Sequence, residues 1–188
     1  MIGMPSRRHK HVRDANVQVR GDPTLSAVGV LEQDYLRRIV LREHDNSKIE
    51  PVAPGFITAT AATLLASGYH VVLEGILHRE RYGEALHKLI TGHPGPSAVY
   101  YLDIPLPEAL RRHQERAHTV GFTTTDMTGW YTPDDYLHVD GEHVIDHTSS
   151  LDDTVTTILH TSGLAHAARG TPCPTRCPRC AEKETDRR

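Results

Sequence analysis

The stretch that most constrains the fold is Tyr69-His-Val-Val-Leu-Glu-Gly-Ile-Leu77, a nearly continuous apolar run between turn-forming residues. A strand that alternates apolar and polar side chains sits on one wet face. A strand apolar throughout is covered on both faces, which points to the interior of a parallel sheet. The run ends in Glu74-Gly75, so a carboxylate stands at the strand's carboxyl end, followed by a residue that turns freely. In open α/β sheets that edge is where ligands bind. The alternative is that Glu74 caps the helix that follows.

At 188 residues the chain is long enough for one domain with a real core. Its 38% hydrophobic content includes only 5% aromatics, so Leu, Val, Ile and Ala must build that core. A net charge of −3 argues against a general binder of nucleic acid or membrane surfaces. No apolar run reaches membrane-spanning length, and residues 1–20 lack the apolar core of a signal peptide, so a soluble cytoplasmic protein is expected. His138, His143 and His147 lie among Asp140, Glu142 and Asp146, but their spacing puts them on no common face. They are expected to be solvated rather than metal-bound. Cys173, Cys177 and Cys180 have the spacing of an iron–sulfur motif, with too little chain after them for a barrel to enclose a cluster. A zinc site would need a fourth ligand such as His166. A reduced, disordered Cys/Pro/Arg tail over 165–188 is expected instead.

Along the chain, residues 1–15 are basic and unpatterned and are expected to form a disordered tail, leaving 16–164 as the folded domain. Val17–Gly21 and Ala27–Leu31 read as strands, and Asp34 as the N-cap of a helix carrying Leu36, Ile39 and Val40. Phe56–Ser67 reads as a helix closed by Gly68, and Arg79–Thr91 as a crossover helix with Tyr82, Leu86, Leu89 and Ile90 on one stripe. Ala98–Asp103 is a buried strand ending in a carboxylate. Pro105 opens a helix containing Arg111, Arg112 and Arg116, residues 121–136 are irregular, and His143–Ile145 is a final short strand. A last helix capped by Ser149-Ser150 ends at Gly163. Strands alternating with helices predict an α/β fold, a three-layer domain on a mainly parallel sheet.

The succession Glu32-Gln-Asp-Tyr-Leu-Arg-Arg38, Gly68 to Leu77, Tyr100-Tyr-Leu-Asp103, Leu110-Arg-Arg-His113 and Trp130-Tyr131 resembles the small P-loop kinases of the nucleoside-kinase-like class. That class includes chloramphenicol phosphotransferase and zeta-toxin-like kinases. The likeness is greatest to an actinobacterial branch of P-loop kinase or AAA-type ATPase proteins, and it runs from about Val28 to Leu164. It implies ATP and Mg²⁺ as cofactors and transfer of a phosphoryl group to a small hydroxyl acceptor. It also implies roles. Asp34 would accept or orient the acceptor hydroxyl's proton, and Glu74 would lie near substrate or a Mg²⁺-bound water. Arg37, Arg38 and Tyr131 would face the acceptor. Arg111, on the nucleotide side, with Arg112 and Arg116, would neutralise the moving phosphoryl charge from the lid region. The alternative for the arginines is a solvated helix face with Glu115 as a partner.

One part of the pattern is missing. A P-loop needs G-x-x-x-x-G-K-[S/T], whose backbone N–H groups wrap the phosphates while Lys and Ser/Thr reach the γ-phosphate and Mg²⁺. The lysines are Lys10, Lys48, Lys88 and Lys183, and none follows a glycine. Val17–Gly21 resembles the end of the family's first strand, with Gly21 as the first glycine of the loop. On that reading only Gly21–Ala27 would connect two parallel strands. Such a segment reaches roughly 25 Å but leaves no helix to cover the sheet. The expectation is therefore a truncated N-terminal strand–loop–helix unit, an impaired kinase, or a non-catalytic binding protein using an exposed sheet face.

Overall fold

The computed structural model describes residues 2–3, 28–44, 51–115 and 122–166, the first pair and His166 by backbone alone. Five strands form one parallel sheet: β1 (Ile2–Gly3), β2 (Val28–Glu32), β3 (His70–Gly75), β4 (Val99–Asp103) and β5 (Glu142–Asp146), in spatial order β2-β3-β1-β4-β5. The mainly parallel α/β sheet expected from the uniformly apolar runs is therefore present. Register aligns Glu32 with Glu74 across β2 and β3, Ile2 with both Glu74 and Tyr100, and Asp103 with Asp146. Carboxylates thus stand at the carboxyl ends of four of the five strands.

The central strand corrects the sequence reading. Between β3 and β4 lies Ile2–Gly3, inside the expected basic tail. Val17–Gly21, expected in that place, lies outside the described residues. Two residues are too short a strand to leave a hydrophobic period, so pattern could not find it. The connection from β1 to β2 is therefore residues 4–27, longer than the dozen residues a parallel crossover takes. Gly21–Ala27 need not carry that crossover, and its shortness no longer implies a truncated unit.

The helices follow their sequence signals closely. Helix α1 begins at Gln33–Tyr35 and continues as a π-helical turn, Leu36–Val40. Helix α2 is Ala53–Ala66, with Gly68 beyond it at φ +82°, the left-handed position that glycine fills without steric cost. Helix α3 is Arg79–Gly92, and α4 is Leu106–Gln114.

The segment expected to be irregular contains a helix, α5 (Thr124–Trp130). Its start is a reciprocal capping box: Asp126 N–H donates to the Thr123 hydroxyl, and Thr123 N–H donates to the Asp126 carboxylate. Thr123-x-x-Asp126 was the signal that would have found it. The last helix, α6, is Leu151–Thr161, and Ser150 caps it by accepting from the Asp153 N–H.

Two cores flank the sheet. Leu31 and Leu73 pack with Ile57, Ala61, Tyr82 and Leu86 from α2 and α3. On the other side, Tyr100, Leu102 and Ile145 pack with Val72 and with Ile158 of α6. That neighbouring β3 residues face different cores is the alternation of a strand buried on both sides. No helix among the described residues is long and apolar enough to cross a membrane.

Candidate active site

The carboxyl ends of β2 and β3 carry four of the nine residues singled out by sequence: Asp34, Arg37, Arg38 and Glu74. Asp34 does not cap α1: Glu32 occupies the cap position and makes no side-chain capping bond. Asp34 lies in the first turn instead, and its carboxylate accepts from Arg38 Nε at 3.2 Å and lies 3.8 Å from Arg37. Both partners come from the π-helical turn, a conformation that is rare overall and frequent at functional sites. Arg38 also lies over the ring of Trp130, with 5.6 Å between guanidinium and ring centroid. Trp130 tilts against Phe122, which stacks on His113 of α4 at 5.1 Å. An aromatic chain therefore joins α4 to α1.

Glu74, one strand over, is 1% exposed. Gly75 beside it has φ +142°, and a Cβ there would lie 2.5 Å from the Cβ of Gln33. Only glycine fits, because Gln33 lies directly against the strand. Gln33 is itself 3% exposed, and its Nε2 donates to the Tyr82 hydroxyl at 2.7 Å. Burial pushes the Tyr82 hydroxyl's pKa upward, against the Gln33 bond and the nearby Arg37 charge, which pull it down. Sequence reading counted Tyr82 as core and passed over Gln33. A lone amide between an apolar strand and an acidic helix start was the available signal.

The arginines of α4 are differently placed. Arg111 donates to Glu108 at 2.7 and 2.9 Å and to Glu115, which is the solvated, paired face weighed as the alternative. Arg112 donates to Glu108 and to the His147 carbonyl at 2.8 Å, tying α4 to the turn after β5. The bonds from Arg111 and Arg112 hold the Glu108 carboxyl well below its ordinary range, at about 2. Tyr131 ends α5, half-buried near Tyr101, whose hydroxyl burial drives up to about 12. Arg116 and Gly21 lie outside the described residues, as do Cys173, Cys177 and Cys180. Among the described residues no three metal-ligating side chains cluster. His143 stacks on Tyr100, His138 tilts against Tyr136, and His147 approaches Asp146 at 3.9 Å.

A small cavity beside β4, bordered by Leu77, Leu86, Tyr101 and Asp135, holds about 20 Å³. That is room for one water and no substrate. Its Asp135 serves the fold instead: the carboxylate accepts from the Arg79 N–H at the start of α3 and approaches His78 Nδ1 at 3.2 Å.

No family model matches the chain, and no curated protein matches it in sequence. Among solved structures it is similar to a gluconokinase from Sinorhizobium meliloti 1021, with a TM-score of 0.59 over 88% of this chain and 90% of that one. The fold is kinase-like. At 16% identity the likeness extends to the P-loop kinase fold and not to the substrate. The sequence contains no Gly-x-x-x-x-Gly-Lys-Ser/Thr phosphate cradle, since none of its lysines follows a glycine.

Proposed function

We propose that this chain is a kinase-type phosphotransferase directed at a small hydroxyl acceptor. Its acceptor side is retained and its ATP–Mg²⁺ side is impaired. What carries the reading is the meeting, at one sheet edge, of Asp34, Arg37 and Arg38 from α1 with Glu74 from the adjoining strand. A carboxylate 38% exposed, bonded to Arg38 and 3.8 Å from Arg37, can accept the proton of a hydroxyl placed against it and fix that hydroxyl's direction. Arg37 and Arg38 supply positive charge to an acceptor, and Trp130 and Tyr131 form the wall toward α4. Arg112 and Arg116 are assigned to the lid, and Arg111 to the nucleotide side.

The impairment rests on the sequence, in which the missing Gly-Lys-Ser/Thr triplet weakens phosphate binding. The same departure favours a second reading, a non-catalytic binding protein that keeps the acceptor site alone. One experiment separates them: release of ADP from millimolar Mg-ATP in the presence of a panel of small alcohols, sugars and sugar acids. Slow, acceptor-dependent release that falls in Asp34→Asn supports the kinase. Acceptor binding with no release at any ATP concentration supports the binding protein.

A further inference from the structure

Helix α2 is apolar on the side that the fold leaves open. Its 14 residues, Ala53–Ala66, include no charged side chain. A surface helix normally divides into an apolar and a charged face, and one that is apolar all round is normally covered all round. Ala53, Ile57 and Ala61 are covered, packing into the core beside Leu31 and Leu73. Val52, Phe56, Ala59, Ala62, Thr63 and Ala66 are exposed. Their spacing of three and four residues puts them on one stripe, which runs roughly 21 Å from Val52 to Ala66. Space over it is open: a Cβ at Gly55 would meet no atom within 4 Å. The hydroxyls of the helix are already engaged. Thr58, Thr60, Thr63 and Ser67 each donate to the backbone carbonyl four residues earlier, at 2.8 or 2.9 Å. The apolar surface continues past the first turn of α2. Glu43 accepts from the Val52 and Ala53 N–H groups, and the π-helical turn before it, carrying exposed Ile39 and Val40, packs on α2.

We propose that this face binds a second copy of the chain, with α2 antiparallel to its counterpart about a two-fold axis at Ala59. The order of side chains along the stripe selects that occupant. A two-fold at Ala59 sets Val52 against Ala66, Gly55 against Thr63 and Phe56 against Ala62. Bulky side chains at the start of one helix therefore meet small ones at the end of the other, in both directions at once. That is the self-complementarity an isologous contact requires. Alanine on the axis lets the two backbones approach to about 8 Å, the close end of helix packing. Charge agrees with shape. With no ionic side chain on α2, two copies meet without like charges opposed, and a strongly charged partner finds nothing on the helix to pair with. One helix strip falls short of the roughly 800 Å² per partner typical of a stable interface. Ile39 and Val40 of both copies add apolar surface at its two ends.

The test is sedimentation equilibrium of the full chain across the micromolar range. The chain is expected to reach twice the mass of one copy, with a micromolar or tighter dissociation constant. Ala59 is exposed, and glutamate and lysine both suit a helix, so charged variants there keep the fold. Ala59→Glu is expected to raise the dissociation constant by about a hundredfold or more, because the axis sets the two carboxylates against each other. Ala59→Lys is expected to do the same, and circular dichroism of each variant to match the native chain. Mixing the two variants in equal amounts is expected to restore the dimer, since glutamate then faces lysine across the axis. A native chain that stays monomeric throughout the range would overturn the proposal and give the face to a different occupant. A dimer that Ala59→Glu leaves intact, or a mixture of the two variants that stays monomeric, would overturn it as well.

Discussion

Asp34-Tyr-Leu-Arg-Arg38 and Glu108-Ala-Leu-Arg-Arg112 share a local pattern, a carboxylate followed by Leu-Arg-Arg near the start of a helix. In α4 the pattern is closed. Glu108 accepts from both arginines, Glu115 takes a further bond from Arg111, and the His147 carbonyl takes one from Arg112. In α1 it is looser: one 3.2 Å bond joins Asp34 to Arg38, Arg37 stands at 3.8 Å, and Arg37 Nε has no hydrogen-bond partner among the described residues. The α-helical backbone of α4 stacks residues three and four apart, so the side chains satisfy one another. In α1 the arginines stand on a π-helical turn, which shifts that spacing. The same local pattern is tightly paired in one helix and loosely paired in the other.

That contrast can be broken most sharply at its two carboxylates. Asp34→Asn is expected to lower residual phosphoryl transfer at millimolar Mg-ATP by about 10²-fold or more, with the melting temperature nearly unchanged. Glu108→Gln should leave the same rate within about twofold, as surface pairs contribute little to chemistry elsewhere. Equal losses in the two variants would erase the distinction. Next in size, Gly75→Ala should destabilise the protein by about 2 kcal/mol or more, read by thermal unfolding. It strains a positive φ and drives a methyl group into Gln33. Gly75→Ala should cost less in a Gln33→Gly background, which removes the Cβ it meets at 2.5 Å, while the backbone strain stays.

Arg112→Ala should cost about 1 kcal/mol by releasing the His147 carbonyl that joins α4 to the β5–α6 turn. A smaller effect is pH-dependent. The Glu108 carboxyl titrates at about 2 in the fold against an ordinary 4.5, so its contribution is fully present above 4.5 and is lost as pH falls toward 2. Glu108→Gln should therefore show a shallower fall in melting temperature between pH 4.5 and 2 than the native chain. Arg111→Ala, removing an exposed member of the same cluster, should leave the melting temperature within error.

Much of the sheet was legible because buried parallel strands are written as unbroken apolar runs. Leu73, Leu102 and Ile145 all fall where those runs put them in the core. The first strand was not legible, since Ile2–Gly3 offers no period at all and owes its place to the neighbours that pair with it. Helix α5 was missed for a different reason: its capping box was readable, but only Met127 of its seven residues is buried, so no apolar stripe announced it. Asp34, Arg37 and Arg38 were singled out through the kinase resemblance, and Glu74 also by its place at the carboxyl end of an apolar run. Gln33 and Tyr82 were not, because their partnership spans 49 residues and exists only once β3 and α3 are folded. Nor could spacing show which arginine pair is closed, since that depends on Glu115 and on a carbonyl from a distant turn.

The most direct measurement is a set of thermal melts of the full chain, one with 1 mM Mg-ATP and the others with a panel of small alcohols, sugars and sugar acids at 1 mM. A ligand raises the midpoint by an amount that grows with the logarithm of its concentration over its dissociation constant. An intact acceptor side with an impaired nucleotide side predicts a rise of several degrees with at least one of the hydroxyl compounds and about a degree or less with Mg-ATP. A large shift with Mg-ATP and none with any hydroxyl compound would contradict it.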